Sequence, residues 1–375
     1  MRILLIHNQL WAHYKSKLFS EIHLALQEKY PESEFKVIHI ALHESSRREM
    51  KDDDTYFPYK YPYQVLFERS LDQVKFFERY IALLRAFHDF RPTVLNVTGY
   101  FDWAQIFLMT YARMRGVKVV LSSESSAMDH DRSIFKEVIK RWILSRAHVF
   151  FCFGKSTAHY LLKLGVKRPQ IRVRHAAVID EQIIRNNFDE ARLRIKKNKF
   201  SYVYVGRLAP EKNLEMLVRA FLNVTQKTTD ANWELLLVGE GPSRSTLQNL
   251  ASNHPNIRFA GGHPWYKVPE WLAQADVLVL PSKSEPWGLV VNEAMVCGMP
   301  VIVSNKCGCV NDLVKNGING FTFSPKSQKD LESHLSFFIR NTNEIQWMGA
   351  ESGRIIAPYA AREVAIEMIN CYKSL

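Results

Sequence analysis

Two glutamates eight residues apart, Glu285 and Glu293, lie in the stretch SKSEPWGLVVNEAMVCGMPVI from Ser282 to Ile302. Carboxylates accept hydrogen bonds from hydroxyls, so such a pair suits a polyol: a sugar or a ribose. Between them, Gly288 and Leu289 open a run with helical spacing. The first amides of a helix are unpaired donors that point where an anionic phosphate can sit. A second group of charges lies upstream in VGRLAPEKN, where Arg207 and Lys212 follow a turn at Gly206. An arginine fork and a mobile lysine charge suit a diphosphate whose negative charge grows as a bond to it breaks. Each feature also has an ordinary explanation, because most glutamates and lysines are simply solvated. The combination favours a site for a sugar joined to a nucleotide diphosphate.

The elements that must hold these residues follow from the apolar pattern. Ala275–Leu280 reads as a buried parallel strand, Pro281 and Pro286 break the chain after it, and Gly298 and Pro300 stop the helix that carries Glu293. Companion strands are predicted at Ser201–Val205, Glu234–Val238, Ile257–Phe259 and Val301–Ser304. In the turn VGEGPSR, Gly239 and Gly241 suit packing better than direct ligation, and a dinucleotide fingerprint would need glycine where Arg244 stands. The loop GGHPWYKV offers His263 and Trp265 to stack on a base, or as parts of a structural loop.

In the first half, strands are predicted at Arg2–His7, Phe35–Ile40, Val94–Thr98, Lys118–Ser122 and His148–Phe153. Helices are predicted near Ser16–Lys29, Asp102–Arg115, Ser133–Ser145 and Ser156–Leu164. The alternation gives an α/β fold of two Rossmann-like, doubly wound domains with ligands at the carboxyl ends of their strands, in a cleft. The domains run over 1–178 and 200–355, joined by a hydrophilic connector at 179–199 with room for a short helix, and followed by a helix in 356–375.

The 375 residues carry a formal net charge of +12, which implies attraction to nucleic acid, anionic lipid or a phosphorylated substrate. No RNP sequence, zinc finger or helix-turn-helix pattern supports nucleic acid. Five cysteines, odd in number and mostly in apolar runs, argue against a disulfide framework, and Cys307-Gly308-Cys309 reads as two free thiols. The chain opens on a strand without a leader pattern and holds no bilayer-length apolar run, so a cytoplasmic protein, peripheral on the inner membrane face at most, is expected.

The stretch from Glu285 to Glu293 resembles the E-x7-E motif of retaining glycosyltransferases of family 4, which have the GT-B fold. Gly206 to Asn213 is similar to that family's G-R-x-x-x-E-K-N pattern, and Val238 to Pro242 to its V-G-x-G-P turn. The resemblance implies that Glu285 contacts the donor sugar, Glu293 the ribose, and Arg207 and Lys212 the donor diphosphate. It also implies that the last helix returns to the first domain. Across the cleft the pattern departs: Asn8 to Lys15 holds no glycine-rich loop, and His13, Tyr14 and Lys15 are the candidates for acceptor contact. Where many members place a histidine after the strand ending at Ser122, this chain offers Glu124, with His130 the nearest histidine. The run from Thr55 to Phe67 is aromatic for a loop and offers faces to a sugar ring or a lipid interface.

The expected activity is retaining transfer of a sugar from a nucleotide-diphosphate donor to a hydroxyl of a glycan, glycolipid or small molecule, without cofactor or metal. The D-x-D triplets at Asp52–Asp54 and Asp129–Asp131 lie far in sequence from the Arg207, Lys212 and Gly288 group. A nucleotide-sugar epimerase, a phosphorylase on the same scaffold, or a non-enzymatic nucleotide-sugar-binding protein is the alternative.

Overall fold

A computed structural model describes residues 1–45, 59–123, 134–227 and 232–375, with backbone alone at 13 and 134–136. The chain divides into two compact units, Met1–Asp180 with Pro358–Leu375, and Glu181–Ala357.

The first unit is built on seven strands: β1 (Arg2–Gln9), β2 (Glu34–His43), β3 (Tyr63–Ser70), β4 (Val94–Thr98), β5 (Lys118–Ser123), β6 (Val149–Cys152) and β7 (Ile171–Val173). All are parallel, in the order β3-β2-β1-β4-β5-β6-β7. Its crossover helices are α1 (His13–Lys29), α2 (Phe76–Phe90), α3 (Trp103–Met114), α4 (Ile134–Leu144) and α5 (Lys155–Lys163). Helices α2 to α5 cover one face of the sheet, burying Leu83, Phe87, Leu108, Met109, Ile143 and Leu161 against Leu4, Leu95, Val97 and Leu121. Strands covered on both faces read as mainly apolar runs, and β4 is buried at every position, with Asn96 its inner polar residue.

The second unit opens with α6 (Glu181–Arg194) and then alternates: β8 (Phe200–Val205), α7 (Leu214–Lys227), β9 (Trp233–Val238), α8 (Arg244–Ala251), β10 (Ile257–Gly261), α9 (Val268–Leu272), β11 (Val277–Leu280) and α10 (Leu289–Val296). It continues with β12 (Val301–Ser304), α11 (Val310–Leu313), β13 (Gly320–Phe323), α12 (Gln328–Arg340) and α13 (Glu344–Ile356). The sheet is parallel in the order β10-β9-β8-β11-β12-β13. The chain leaves β8 toward β9 on one side and later fills β11 on the other, so the switch point lies between the carboxyl ends of β8 and β11. Doubly wound sheets open a crevice for ligands at that place.

The last helix, α14 (Ala361–Lys373), belongs to the first unit. Arg362 pairs with Glu28 and Glu21 of α1, and the buried Tyr372 hydroxyl accepts a hydrogen bond from Asn96 Nδ2 at 2.6 Å.

Three expectations change. The helix in the stretch 179–199 is long, and α6 packs within the second unit, Asn187 Nδ2 donating to the Tyr266 carbonyl at 2.9 Å and Arg192 Nη1 to the Ala273 carbonyl at 2.6 Å. The aromatic run from Thr55 is not wholly a loop, because Tyr63–Phe67 forms the start of edge strand β3. Tyr61 is buried and donates to Ser16 Oγ, while its oxygen lies 3.1 Å from His39 Nε2. Strand β13, absent from the sequence reading, completes the second sheet.

Candidate active site

The carboxyl end of β8 delivers Gly206, whose φ of +147° is open to glycine, and then Arg207. The buried Tyr204 supports this turn by donating to the Arg207 carbonyl at 2.8 Å. A short 3-10 turn over Pro210–Lys212 follows, and Asn213, left-handed at φ +58°, hands the chain to α7. The Arg207 guanidinium is exposed and pairs with Glu211. Lys212 turns inward, with 17% of its side chain exposed, and pairs with Glu285.

Glu285 reaches that position because its loop is held from below. The loop after β11 runs beside the segment after β12: Glu285 N donates to the Lys306 carbonyl at 3.2 Å, Gly308 N to the Glu285 carbonyl at 2.9 Å and Cys309 N to the Trp287 carbonyl at 3.2 Å. A Cβ on Gly308 would stand 1.9 Å from the Pro286 carbonyl oxygen, so only glycine permits the approach. Cys307-Gly308-Cys309 is therefore a clamp under the loop. Burial pushes both thiols up, and the nearby Glu285 charge adds to it.

Gly288, at φ +96°, caps α10 without any side-chain hydrogen bond, and Leu289 begins the helix. Trp287 is buried and donates through Nε1 to Asn292 Oδ1 at 2.9 Å, locking the loop to the helix. Neither residue was a sequence candidate; an indole and an amide five apart across a glycine is the signal that was available. Glu293, one turn into α10, is half-buried, and burial raises its carboxyl to about 7. Among the described residues its carboxyl forms no hydrogen bond or ion pair.

Gly239 and Gly241 lie against the Arg207 turn. Cβ atoms there would stand 1.9 Å from the Gly206 carbonyl oxygen and 2.4 Å from that of Leu208. Leu208 N donates to the Glu240 carbonyl at 2.8 Å and Ser243 N to the Leu208 carbonyl at 2.9 Å. Backbone packing accounts for both glycines. Arg244 pairs with Glu240 at the start of α8. His263 is exposed, its ring 4.7 Å from that of Trp271 and its Nε2 3.0 Å from the Ala260 carbonyl oxygen. Trp265 meets Tyr266 edge-on at 6.0 Å, in the 3-10 turn before α9. Thus Gly206, Arg207, Lys212, Glu285, Gly288, Leu289 and Glu293 cluster around the switch point, with Gly239, Gly241 and Arg244 beside the β8 turn.

The candidates of the first unit fare differently. Glu124, His130 and both D-x-D triplets lie outside the described residues, as does the side chain of His13. Tyr14 and Lys15 fall in the first turn of α1, not in a loop. Lys15 is buried, its Nζ 4.4 Å from the centre of the Phe153 ring and 5.6 Å from that of Tyr14. The helix therefore begins three residues earlier than the sequence reading placed it, and Lys15 is packed rather than exposed. No helix among the described residues is long and apolar enough to cross a membrane, and none of their His, Cys, Asp and Glu side chains group as a metal site.

Among solved structures, the chain is similar over its full length to Anabaena HepE in complex with UDP (TM-score 0.76, 16% identity, 100% of both chains). It is also similar to sucrose-phosphate synthase from Thermosynechococcus elongatus (TM-score 0.75, 17% identity, 100% of this chain and 98% of that one). These likenesses show the fold, the GT-B pairing of two doubly wound sheets expected from the sequence. In sequence, the chain is 31% identical to the sulfoquinovosyl transferase of Arabidopsis thaliana over 177 residues, 44% of this chain and 33% of that one. The chain spans between a third and a half of the length of the first curated relatives it matches. The family model of glycosyl transferases group 1 matches residues 186–353, which include every switch-point residue described above. Over those residues the second unit is similar to the glycosyl transferases group 1 family.

Proposed function

We propose that the chain transfers a sugar from a nucleotide-diphosphate donor to an acceptor hydroxyl of a glycan, glycolipid or small molecule, with retention of configuration and without a divalent metal. The observation that carries this reading is the half-buried Lys212–Glu285 pair beside the start of α10, with the unpaired Glu293 carboxyl one turn further on. Lys212 and Arg207 hold the diphosphate, helped by the amides at Leu289 and Val290. Glu285 accepts from sugar hydroxyls and orients Lys212, and Glu293 accepts from the ribose. The bond from the anomeric carbon to the phosphate oxygen breaks, the acceptor oxygen bonds to that carbon on the same face, and the acceptor proton passes to the leaving phosphate. The two cations meet the charge that grows on the diphosphate. UDP in a structural relative supports a uridine donor, and the cytoplasm, where nucleotide sugars are made, is the expected compartment.

The test is donor turnover with wild-type protein and Glu285→Gln, measured with and without acceptor. Release of nucleotide diphosphate that depends on acceptor, lost about a hundredfold or more in the folded variant, supports transfer. An isomerised sugar, tight binding without turnover, or full activity in Glu285→Gln overturns the reading.

A further inference from the structure

The described residues of the two units expose their apolar side chains unequally. The second unit exposes three large ones, Leu193, Ile318 and Trp347, scattered along its length. The first unit gathers eight on the outer side of α2, α3 and α4 and the turn before α3, including Phe77 at 72% exposure and Met114 at 74%. On α3, Trp103, Phe107 and Met114 share one stripe, at intervals of four and seven residues. On α2, Phe77 and Ile81 do the same. The two stripes join: Phe76 lies 5.9 Å and Tyr80 6.0 Å from Phe107, ring centre to ring centre, and Trp103 6.4 Å. Arg79 braces the junction by an ion pair of 2.9 Å to Asp102, the cap of α3.

The charge beside this face is mainly positive, with Arg85, Arg113, Arg115, Arg141 and Arg146 set among the carboxylates Glu78, Asp89 and Glu137. Arg113 on α3 donates to the Arg146 carbonyl at 3.2 Å, bringing the carboxyl ends of α3 and α4 together. Arg146 itself stacks on Trp142, 4.8 Å from the ring centre, and Arg115 lies exposed beside Met114. Arg113 and Lys118 both depress the neighbouring His148, after burial, the larger cause. A helical layer whose outer side pairs aromatic and aliphatic side chains with arginines matches the interface of an anionic bilayer. There indole and phenyl rings settle at headgroup depth and cations meet lipid phosphates.

We propose that the outer face of α2–α4 is a docking surface for an anionic lipid bilayer. The aromatic stripes enter the interface, and Arg113, Arg115 and Arg146 contact lipid phosphates. Tyr61, in the aromatic run at 55–67, is buried in the first unit and takes no part in this surface.

The test is co-sedimentation of the protein, without donor, with vesicles of equal parts phosphatidylglycerol and phosphatidylcholine, and with phosphatidylcholine alone. Binding to the anionic vesicles at low salt, weakened by high salt, is expected. Phe77→Ser with Trp103→Ser should weaken it by about tenfold or more, since each ring contributes its buried apolar area. Arg113→Glu with Arg115→Glu should weaken it comparably at low salt only. Both pairs lie on the surface, and donor turnover in solution should match wild type. Absent binding at low salt, or binding that neither pair alters, overturns the proposal. So does a dimer in light scattering that Phe77→Ser with Trp103→Ser dissolves, which would make a second copy the occupant. Because no donor is present, failure here leaves the transfer reading of the second unit untouched.

Discussion

The two sheets share a topology but fill their carboxyl ends with opposite chemistry. In the second unit, the switch point holds charges kept near the surface: Lys212 against Glu285, Arg207 against Glu211 and a half-buried Glu293. In the first, the end of β1 and β2 holds a closed cluster of rings. His7 and His39 both set Nδ1 against the Gln9 carbonyl, at 2.7 and 3.1 Å, and Phe19, Tyr61 and Tyr63 pack around them. Charges near a surface stay available for a charged ligand. A ring cluster is committed to packing. Among the described residues, one architecture thus carries accessible charges in one copy and packed rings in the other.

Lys212→Ala tests the binding side with the largest expected effect. It removes a cation from the diphosphate and leaves Glu285 unpaired, so turnover should fall by about a hundredfold or more while far-UV circular dichroism is kept. Near-normal turnover would take the pair out of the mechanism.

The pH dependence of stability sharpens the contrast, because the two regions should respond with opposite sign. Burial, with the neighbouring His7, lowers His39 well below 6.5, so its neutral form is favoured in the fold. The unfolded chain then binds the proton first, and this contribution is lost as pH falls below 6.5. Glu293 is raised from 4.5 to about 7, so the folded state holds its proton longer and this contribution is lost as pH rises from 4.5 through 7. His39→Phe should flatten the acid limb of a plot of Tm against pH, and Glu293→Gln should raise the alkaline side by about 1–2 kcal/mol. Unchanged limbs in both variants would erase the distinction. The smallest effect expected is none: donor turnover should persist in excess EDTA, since two cations and helix amides already face the diphosphate. Loss with chelator and rescue by magnesium or manganese would bring Asp129 and Asp131 forward.

Legibility in the sequence followed burial. Val94–Thr98 and Val301–Ser304 were placed to the residue because both are mainly apolar and buried along their whole length, with Asn96 the one polar side chain inside a strand. Edge strands lack that signature. Tyr63–Ser70 follows Pro62 and is exposed or half-buried at every position but Ser70, and Gly320–Phe323 is four residues long and starts on glycine. Helix α6 reads as short from its polarity, with Ile184 its one fully buried side chain. The charged site residues were legible because their spacing follows one strand-loop-helix unit. Their supports were not: Tyr204 and Trp287 act on near neighbours, Arg207 and Asn292, through side-chain directions that spacing alone leaves open, and Gly308 acts on Pro286, in a separate loop. The inward turn of Lys15 depends likewise on Phe153, far along the chain.

The clamp at Gly308 has a consequence for how a ligand is met. Three backbone hydrogen bonds and the Trp287–Asn292 contact immobilise the loop that carries Glu285 before any donor arrives. The conformational entropy of that loop is lost during folding and not on association. A donor therefore has only side chains left to order, chiefly the exposed Arg207, and ligand recognition at this sheet is largely a property of the folded chain at rest.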